Sequence, residues 1–522
     1  MNKKYGIYLT YAPEQNIRNQ GLGRLLAFII KGAINNGTTL VLAYPKWYHP
    51  ELQALCEDHD IDINKIEIIT TDGIPFLIRI KSLLEKLGKK EKKNFGFIKK
   101  LVQKTLNAIA NLGIQWLGIS NPLVFVFFGI IILTIGIVLS PLAFILFLSY
   151  IMIILGKKIT KKILLRTIQI FNLGILFSSL KSLKNNMFAY TIYEKILKQE
   201  SIRLSNKINK RSDISAWLIP TLFWPDVKFI KSKKVIVAPD IIFYDFATQY
   251  NTPIFSRTNH KLQHTISVAD HLITYSKYVK ESHLQLPFGI ENSKVTVIHH
   301  GASDLSEDLK DSDGLSILKE YQKTKLKNDD YLSDFNLDDI QYIFFPSQVR
   351  AHKNFLNLLK AYKILLRERF VNIKLITTAY LDTDEEIKKY IKKERLSKDV
   401  LGIQNVSSKV LAALNAHAVC SVNPTLFEGG FPFTFMEAYT VGTPSIMGDI
   451  PMTKELIYNQ ELGEKMLFNP YSVRDMADKI EWGIKNKDKL YKMQNELYEQ
   501  FTQRTWEDCA AEYMKVLDDV SK

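Results

Sequence analysis

Short runs rich in β-branched and aromatic residues alternate along this chain with stretches whose apolar positions recur at helical spacing. That pattern predicts an α/β protein with parallel sheets. Tyr5–Tyr11 (YGIYLTY) predicts a strand, Gly21-Leu22-Gly23-Arg24 opens a helix (LLAFIIKGAI), and Thr39–Tyr44 predicts the next strand. Further strands are predicted at Lys234–Pro239, His271–Ser276 and Lys294–Gly301. A polar stretch, Ala302–Asp339, shows little apolar periodicity and is a candidate interdomain linker. A second series follows at Gln341–Ser347, Asn372–Ala379, Ala418–Pro424 and Thr443–Asp449. Two successive doubly wound halves imply two Rossmann-like domains facing a cleft.

The pattern breaks once. No charged residue occurs from Thr105 to Gly156, and Pro122–Gly156 is a nearly continuous apolar run of 35 residues. One helix of that length would measure roughly 52 Å against a hydrocarbon core of about 30 Å. Ser140-Pro141 sits near its middle, where proline breaks or kinks a helix. The expectation is a helical hairpin or re-entrant pair in a membrane, with one kinked span or a buried core helix as alternatives. A sheet cannot be assembled across a bilayer, so the insert must return to the side it left.

Charge sharpens this picture. The excess of basic residues lies in two blocks flanking the apolar run: ten Lys/Arg against two acids in 77–104, and seven against none in 157–185. The remaining chain balances, 52 against 52. A general nucleic-acid-binding surface is therefore not expected. Basic flanks favour the cytoplasmic side and can hold anionic lipid. Lys157–Leu183 reads as an interfacial amphipathic helix or a solvated basic linker. The N-terminal apolar run is too short for a signal peptide. The cysteines, Cys56, Cys420 and Cys509, show neither disulfide nor zinc spacing. The expected organisation is 1–75 and 191–315 for the first domain, 76–190 for the insert, 316–500 for the second domain and 501–522 for a terminal helix.

Three motifs carry chemistry. Gly21 and Gly23 stand between a strand and a helix, where backbone N–H groups can approach an anionic or sugar ligand. Tight packing is the alternative, and the absent third glycine disfavours a nicotinamide dinucleotide. Ser347, Arg350 and Lys353, in PSQVRAHKN, follow the first strand of the second half, where a diphosphate would meet two cations. Glu428, Gly429, Gly430, Phe431, Pro432, Phe433 and Glu437 follow the strand AVCSVNP. They offer a flexible loop and two carboxylates suited to ribose and sugar hydroxyls. His260 and His264 share a helix face without a third ligand at metal spacing. His299-His300-Gly301 ends a strand, either lining the cleft or making a plain turn.

The motifs FFPSQVRAHKN, SVNPTLFEGGFPFTFMEAYTVGTPSIM and FTQRTWEDCAAEYMKVL closely resemble the retaining GT-B glycosyltransferases of the large family 4 (group 1) type, which includes sucrose synthases and many bacterial mannosyl- and glucosyltransferases. QGLGRLLAFIIKGA and the segment from ADHLITYSKYVK to VIHHG resemble it more loosely, and residues 76–190 not at all. The resemblance implies a hexosyltransferase with a nucleotide-sugar donor, GDP-mannose or a UDP-sugar, and no cofactor or metal. It also implies that the terminal helix returns to the first domain. Glu437 resembles the glutamate that holds the donor ribose, Glu428 the one facing the transferred sugar, and Lys353 the lysine on the diphosphate. The family arginine corresponds to Gln348, with Arg350 the nearest substitute. The family His-Asp pair corresponds to Pro239-Asp240, and eight residues rather than seven separate the glutamates. Together with the insert, this implies a lipid-linked or polysaccharide acceptor at the cytoplasmic face of the inner or plasma membrane. The alternative is a membrane scaffold with a degenerate GT-B fold that binds nucleotide or partner enzymes without turnover.

Overall fold

The computed structural model describes residues 4–18, 21–75, 78–79, 187–249, 253–326, 337, 339–404 and 406–522. The chain divides into two compact units, Met1–Asp72 with Ser201–Lys522, and Gly73–Glu200. Of the second unit only residues 73–75, 78–79 and 187–200 are described. The hairpin expected at 122–156, its basic flanks apart from residues 78–79, and the segment Lys157–Leu183 lie outside the described residues. Among the described residues no helix is long and apolar enough to cross a membrane.

The first unit carries two all-parallel sheets. One contains β1 (Lys4–Tyr8), β2 (Thr39–Tyr44), β3 (Glu67–Thr70), β4 (Ala216–Ile219), β5 (Lys233–Val237), β6 (His271–Thr274) and β7 (Val295–Val297), in the order β3-β2-β1-β4-β5-β6-β7. The other contains β8 (Tyr342–Phe345), β9 (Lys374–Thr377), β10 (Val400–Gly402), β11 (Cys420–Asn423), β12 (Ser445–Gly448) and β13 (Leu467–Phe468), in the order β10-β9-β8-β11-β12-β13. Strand order reverses between β1 and β4 in the first sheet and between β8 and β11 in the second. Open α/β sheets bind ligands outside the carboxyl ends of the strands at such switch points.

Both faces of each sheet are covered, which is why their strands read as short apolar runs without polar alternation. In the N-terminal domain Ile7, Leu42 and Leu218 face one layer, while Tyr8, Trp217 and Ile236 face the other. The helix Gly21–Asn35 buries Leu25, Ile29 and Ala33 in the first layer. The terminal helix, Trp506–Ser521, buries Tyr513, Met514 and Leu517 there as well. It starts on a capping box in which Thr505 accepts the Asp508 N–H and Asp508 accepts the Thr505 N–H. The two helices touch closely: a Cβ on Gly32 would lie 2.5 Å from the Trp506 carbonyl oxygen.

The stretch anticipated as a linker is partly structured. Gly314–Tyr321 is a helix whose first turn is capped by the Asp313 carboxylate, and Leu318 is buried with Tyr342 and Phe344 under the second sheet. Few apolar side chains suffice there, because only Ile317, Leu318 and Tyr321 of this helix pack on that core.

Candidate functional site

Two loops of the C-terminal domain form one wall of the cleft. After β8 the chain makes a 3-10 turn, Ala351–Lys353, and then Asn354 adopts a left-handed conformation at φ 57°. Asparagine tolerates this conformation. Its side-chain amide donates to the carbonyls of Pro424 and Pro470, at 3.0 and 2.7 Å. The His352 carbonyl accepts the Leu426 N–H at 2.8 Å and the Thr425 hydroxyl at 3.2 Å. The loops after β8 and β11 are thus tied together, and Lys353 is fixed beside Glu428. Their side chains pair at 2.5 Å, each 18% exposed. Burial, helped by the Lys353 and Arg350 charges, lowers the His352 imidazole to about 3, so it is neutral. Among the described residues Arg350 donates to Gln348, at 3.4 Å, and Ser347 donates weakly to the Gln348 carbonyl.

The Gly429-Gly430 loop crosses to the N-terminal domain. The Gly429 carbonyl accepts the buried Ser276 hydroxyl at 3.0 Å. A Cβ on Gly429 would stand 2.1 Å from the Pro239 carbonyl oxygen, and one on Gly430 would stand 2.7 Å from the His300 ring. These glycines are needed for close approach of the two domains. His300 stacks on Phe433 at 4.8 Å and meets Tyr275 at a tilt at 4.4 Å, and burial lowers its pKa to about 3. Phe431 turns away from the cleft into the C-domain core, stacking on Phe501, and so does not line the site. Pro432 caps the helix Phe433–Tyr439.

Glu437 leaves that helix almost wholly buried, and Arg24 of the N-terminal domain lies 2.5 Å from its Oε1. Gly21 has open space around its Cβ position, whereas a Cβ on Gly23 would collide with the Ile17 carbonyl at 2.0 Å. Gly23 is therefore required for packing against Ile17. Asp240 follows β5 into the cleft. Burial raises its carboxyl pKa and the nearby Glu428 adds to this, against the Ile242 N–H, His283 and Arg350. The buried His283 accepts the Ile241 N–H on Nδ1, which leaves Nε2 to donate to Asp245. Its ring stacks on Phe427 of the facing domain at 5.3 Å. Glu455 completes the interdomain contacts by accepting the N–H groups of Lys277 and Tyr278, at 2.8 and 3.1 Å.

The cleft thus collects three cations, Arg24, Arg350 and Lys353, with three carboxylates, Asp240, Glu428 and Glu437. Of these, Arg350 and Lys353 can hold a diphosphate, the carboxylates can meet polyhydroxylated rings on either side, and Arg24 is already engaged with Glu437 and Ser303. Among the described residues no group of three or more His, Cys, Asp or Glu side chains is placed to hold a metal ion.

Residues 333–504 match the family model described as Glycosyl transferases group 1. The matched stretch takes in β8–β13 with Lys353, Glu428 and Glu437. No curated protein matches the chain. Solved structures share the two-domain arrangement. The N-terminal domain of Candida albicans trehalose-6-phosphate phosphatase aligns at TM-score 0.56 and 12% identity over 100% of this chain and 98% of that one. HepE of Anabaena, solved with UDP and glucose, aligns at TM-score 0.54 and 12% identity over 99% and 100%. A glycosyltransferase from Rickettsia africae aligns at TM-score 0.53 and 11% identity over 100% and 99%. The fold is GT-B.

Lys353 and Glu428, singled out by sequence, stand together, and Glu437 stands at the same cleft. Arg24, Ser276, His283 and Glu455 escaped notice as cleft residues, because each acquires its role only from a partner in the opposite domain or a distant loop. The adjacency of Arg24 to Gly21 and Gly23 was the one signal available.

Proposed function

We propose that the chain is a retaining hexosyltransferase that moves a sugar from a nucleotide diphosphate to a glycan acceptor at a membrane. The observation that carries this reading is the Lys353–Glu428 pair at the carboxyl ends of β8 and β11, inside the group 1 glycosyltransferase domain. The bond from the sugar C1 to the diphosphate oxygen breaks, and a bond from C1 to the acceptor oxygen forms on the same face. The acceptor proton leaves with the diphosphate, so no protein base is assigned. Lys353 and Arg350 supply the positive charge that meets the departing diphosphate, without a metal. Preorganised groups of this kind contribute about 2.7–4 kcal/mol each to transition-state stabilisation. Glu428 accepts hydrogen bonds from the transferred sugar, and Glu437 from the ribose. The presence of UDP and glucose in HepE favours a UDP-sugar, with GDP-mannose the next donor to test.

The acceptor is proposed to be lipid-linked or a membrane-bound polysaccharide, on the cytoplasmic face. The apolar stretch 105–156 and its basic flanks support this. So does the sheet: β1 pairs with both β2 and β4, so strands before and after the insert lie on the same side. The test is turnover of UDP-, GDP- and ADP-sugars by detergent-purified protein, with and without membrane extract. One donor should be consumed, and Lys353→Ala and Glu437→Ala should abolish its use. Folded protein that binds no nucleotide sugar would refute the assignment and favour a non-catalytic scaffold.

A further inference from the structure

We infer that Arg24 is a positioning residue that sets Glu437 for the donor ribose, and thereby makes ribose recognition depend on closure of the cleft. The inference rests on the reading of Glu437 as the ribose-holding carboxylate. Glu437 is 3% exposed in its side chain, and a buried carboxylate needs a partner to stay ionised at low cost. Among the described residues Arg24 is the only cation within ion-pairing distance of it, and Arg24 belongs to the other domain.

The contact is close without being aligned as a hydrogen bond, so Oε1 keeps an unfilled acceptor direction. A ribose hydroxyl is a donor that can fill it. The guanidinium is itself gripped. Its second terminal nitrogen donates to the buried Ser303 hydroxyl at 3.3 Å, and its Cζ lies 5.9 and 5.7 Å from the centroids of the Phe28 and Phe433 rings. The two rings meet edge to face, with centroids 6.5 Å apart, and a planar fork set against both holds an orientation that a lysine ammonium cannot reproduce. Phe28 and Ser303 come from the N-terminal domain and Phe433 from the C-terminal domain. Opening the cleft therefore removes from Glu437 both its counter-charge and the wall that orients it. A nucleotide meeting the open form finds the ribose carboxylate unset, and one meeting the closed form finds it poised.

The test measures binding of UDP and GDP, and of their 2′,3′-dideoxy counterparts, to wild type, Arg24→Met, Arg24→Lys and Glu437→Ala. Wild type should prefer the ribonucleotide over its dideoxy form by about tenfold or more, and Glu437→Ala should erase that preference. Arg24→Met should erase most of it while leaving dideoxy affinity within about twofold, a pattern that loss of fold or of general charge would not give. Arg24→Lys should lie between, and it carries the test should Arg24→Met fail to fold. An Arg24 variant with an unchanged ratio, beside a Glu437→Ala that loses it, overturns this inference and leaves the proposed function standing. An unchanged ratio in Glu437→Ala, or no nucleotide binding by folded wild type, overturns both.

Discussion

Gly429→Ala separates the shape of the loop from the approach of the two domains. Gly429 is not among the glycines at positive φ, so alanine fits the backbone of the C-terminal domain itself. Across the cleft it does not fit. The new methyl carbon would stand 2.1 Å from the Pro239 carbonyl oxygen, and ordinary contact begins near 3.4 Å, so the gap must widen by about 1.3 Å. The obstruction on both sides is backbone, or Asp240 Cβ at 3.2 Å, and no flexible side chain can swing away. The Ser276 bond to the Gly429 carbonyl lengthens with it. A misplacement of roughly 1 Å between groups that must meet at a reacting centre costs on the order of a hundredfold in rate. The expected result is a fall of about that size in kcat for donor turnover, with thermal stability nearly unchanged. Small-angle scattering should show a less closed pair of domains. Wild-type kcat in Gly429→Ala would refute the view that the domains work at this separation, as would an unchanged scattering profile beside a large drop in melting temperature.

Two further outcomes follow from buried titratable groups. His300 and His352 have folded pKa values of about 3, below the ordinary 6.5, so their neutral forms favour the fold above pH 6.5 and that contribution is lost as pH falls toward 3. At pH 5 the loss is up to about 2 kcal/mol for each. His300→Gln should therefore flatten the decline of melting temperature between pH 6.5 and 5, and an unaltered slope would count against a neutral buried imidazole. Asp240 is shifted the other way. Its ionised form costs stability once pH exceeds the ordinary 3.8, and fully above its raised folded value. Asp240→Asn should melt higher than wild type at pH 7 and show no advantage at pH 3, and equal melting at pH 7 would contradict the raised carboxyl.

The sequence exposed those parts of the fold whose signal is local. The strands at Tyr5, Thr39, Lys234, His271, Gln341, Asn372, Ala418 and Thr443 each announce themselves as apolar runs bounded by turns. β3 (Glu67–Thr70) and β4 (Ala216–Ile219) were not predicted. β10 and β13, of three and two residues, are shorter than any periodicity can register. The helix Gly314–Tyr321 was hidden because it is only about two turns long and lies in a stretch that is polar on both sides. At the site, Lys353, Glu428 and Glu437 were legible because loop, strand end and helix start fall close together in the chain. The Arg24–Glu437 pairing was not, since no pattern within either segment encodes a partner more than four hundred residues away. The approach of Gly429 to Pro239 and Gly430 to His300 was invisible for the same reason.

The packing of the Gly21–Asn35 helix against Trp506–Ser521 also bears on how the protein is made. Asn35 donates to Glu507 across 472 residues of chain. At roughly 5–20 residues per second, a ribosome needs about half a minute to a minute and a half to cover that distance. Throughout that interval Leu25, Ile29 and Ala33 have no permanent cover, so the domain begun first cannot be sealed before the one begun second has been synthesised. The birth order of the two domains and their order of completion are therefore not the same. A chain truncated after residue 504 and released should remain open to protease and chaperone at its beginning, while its second half, whose core ends at Phe501, can close.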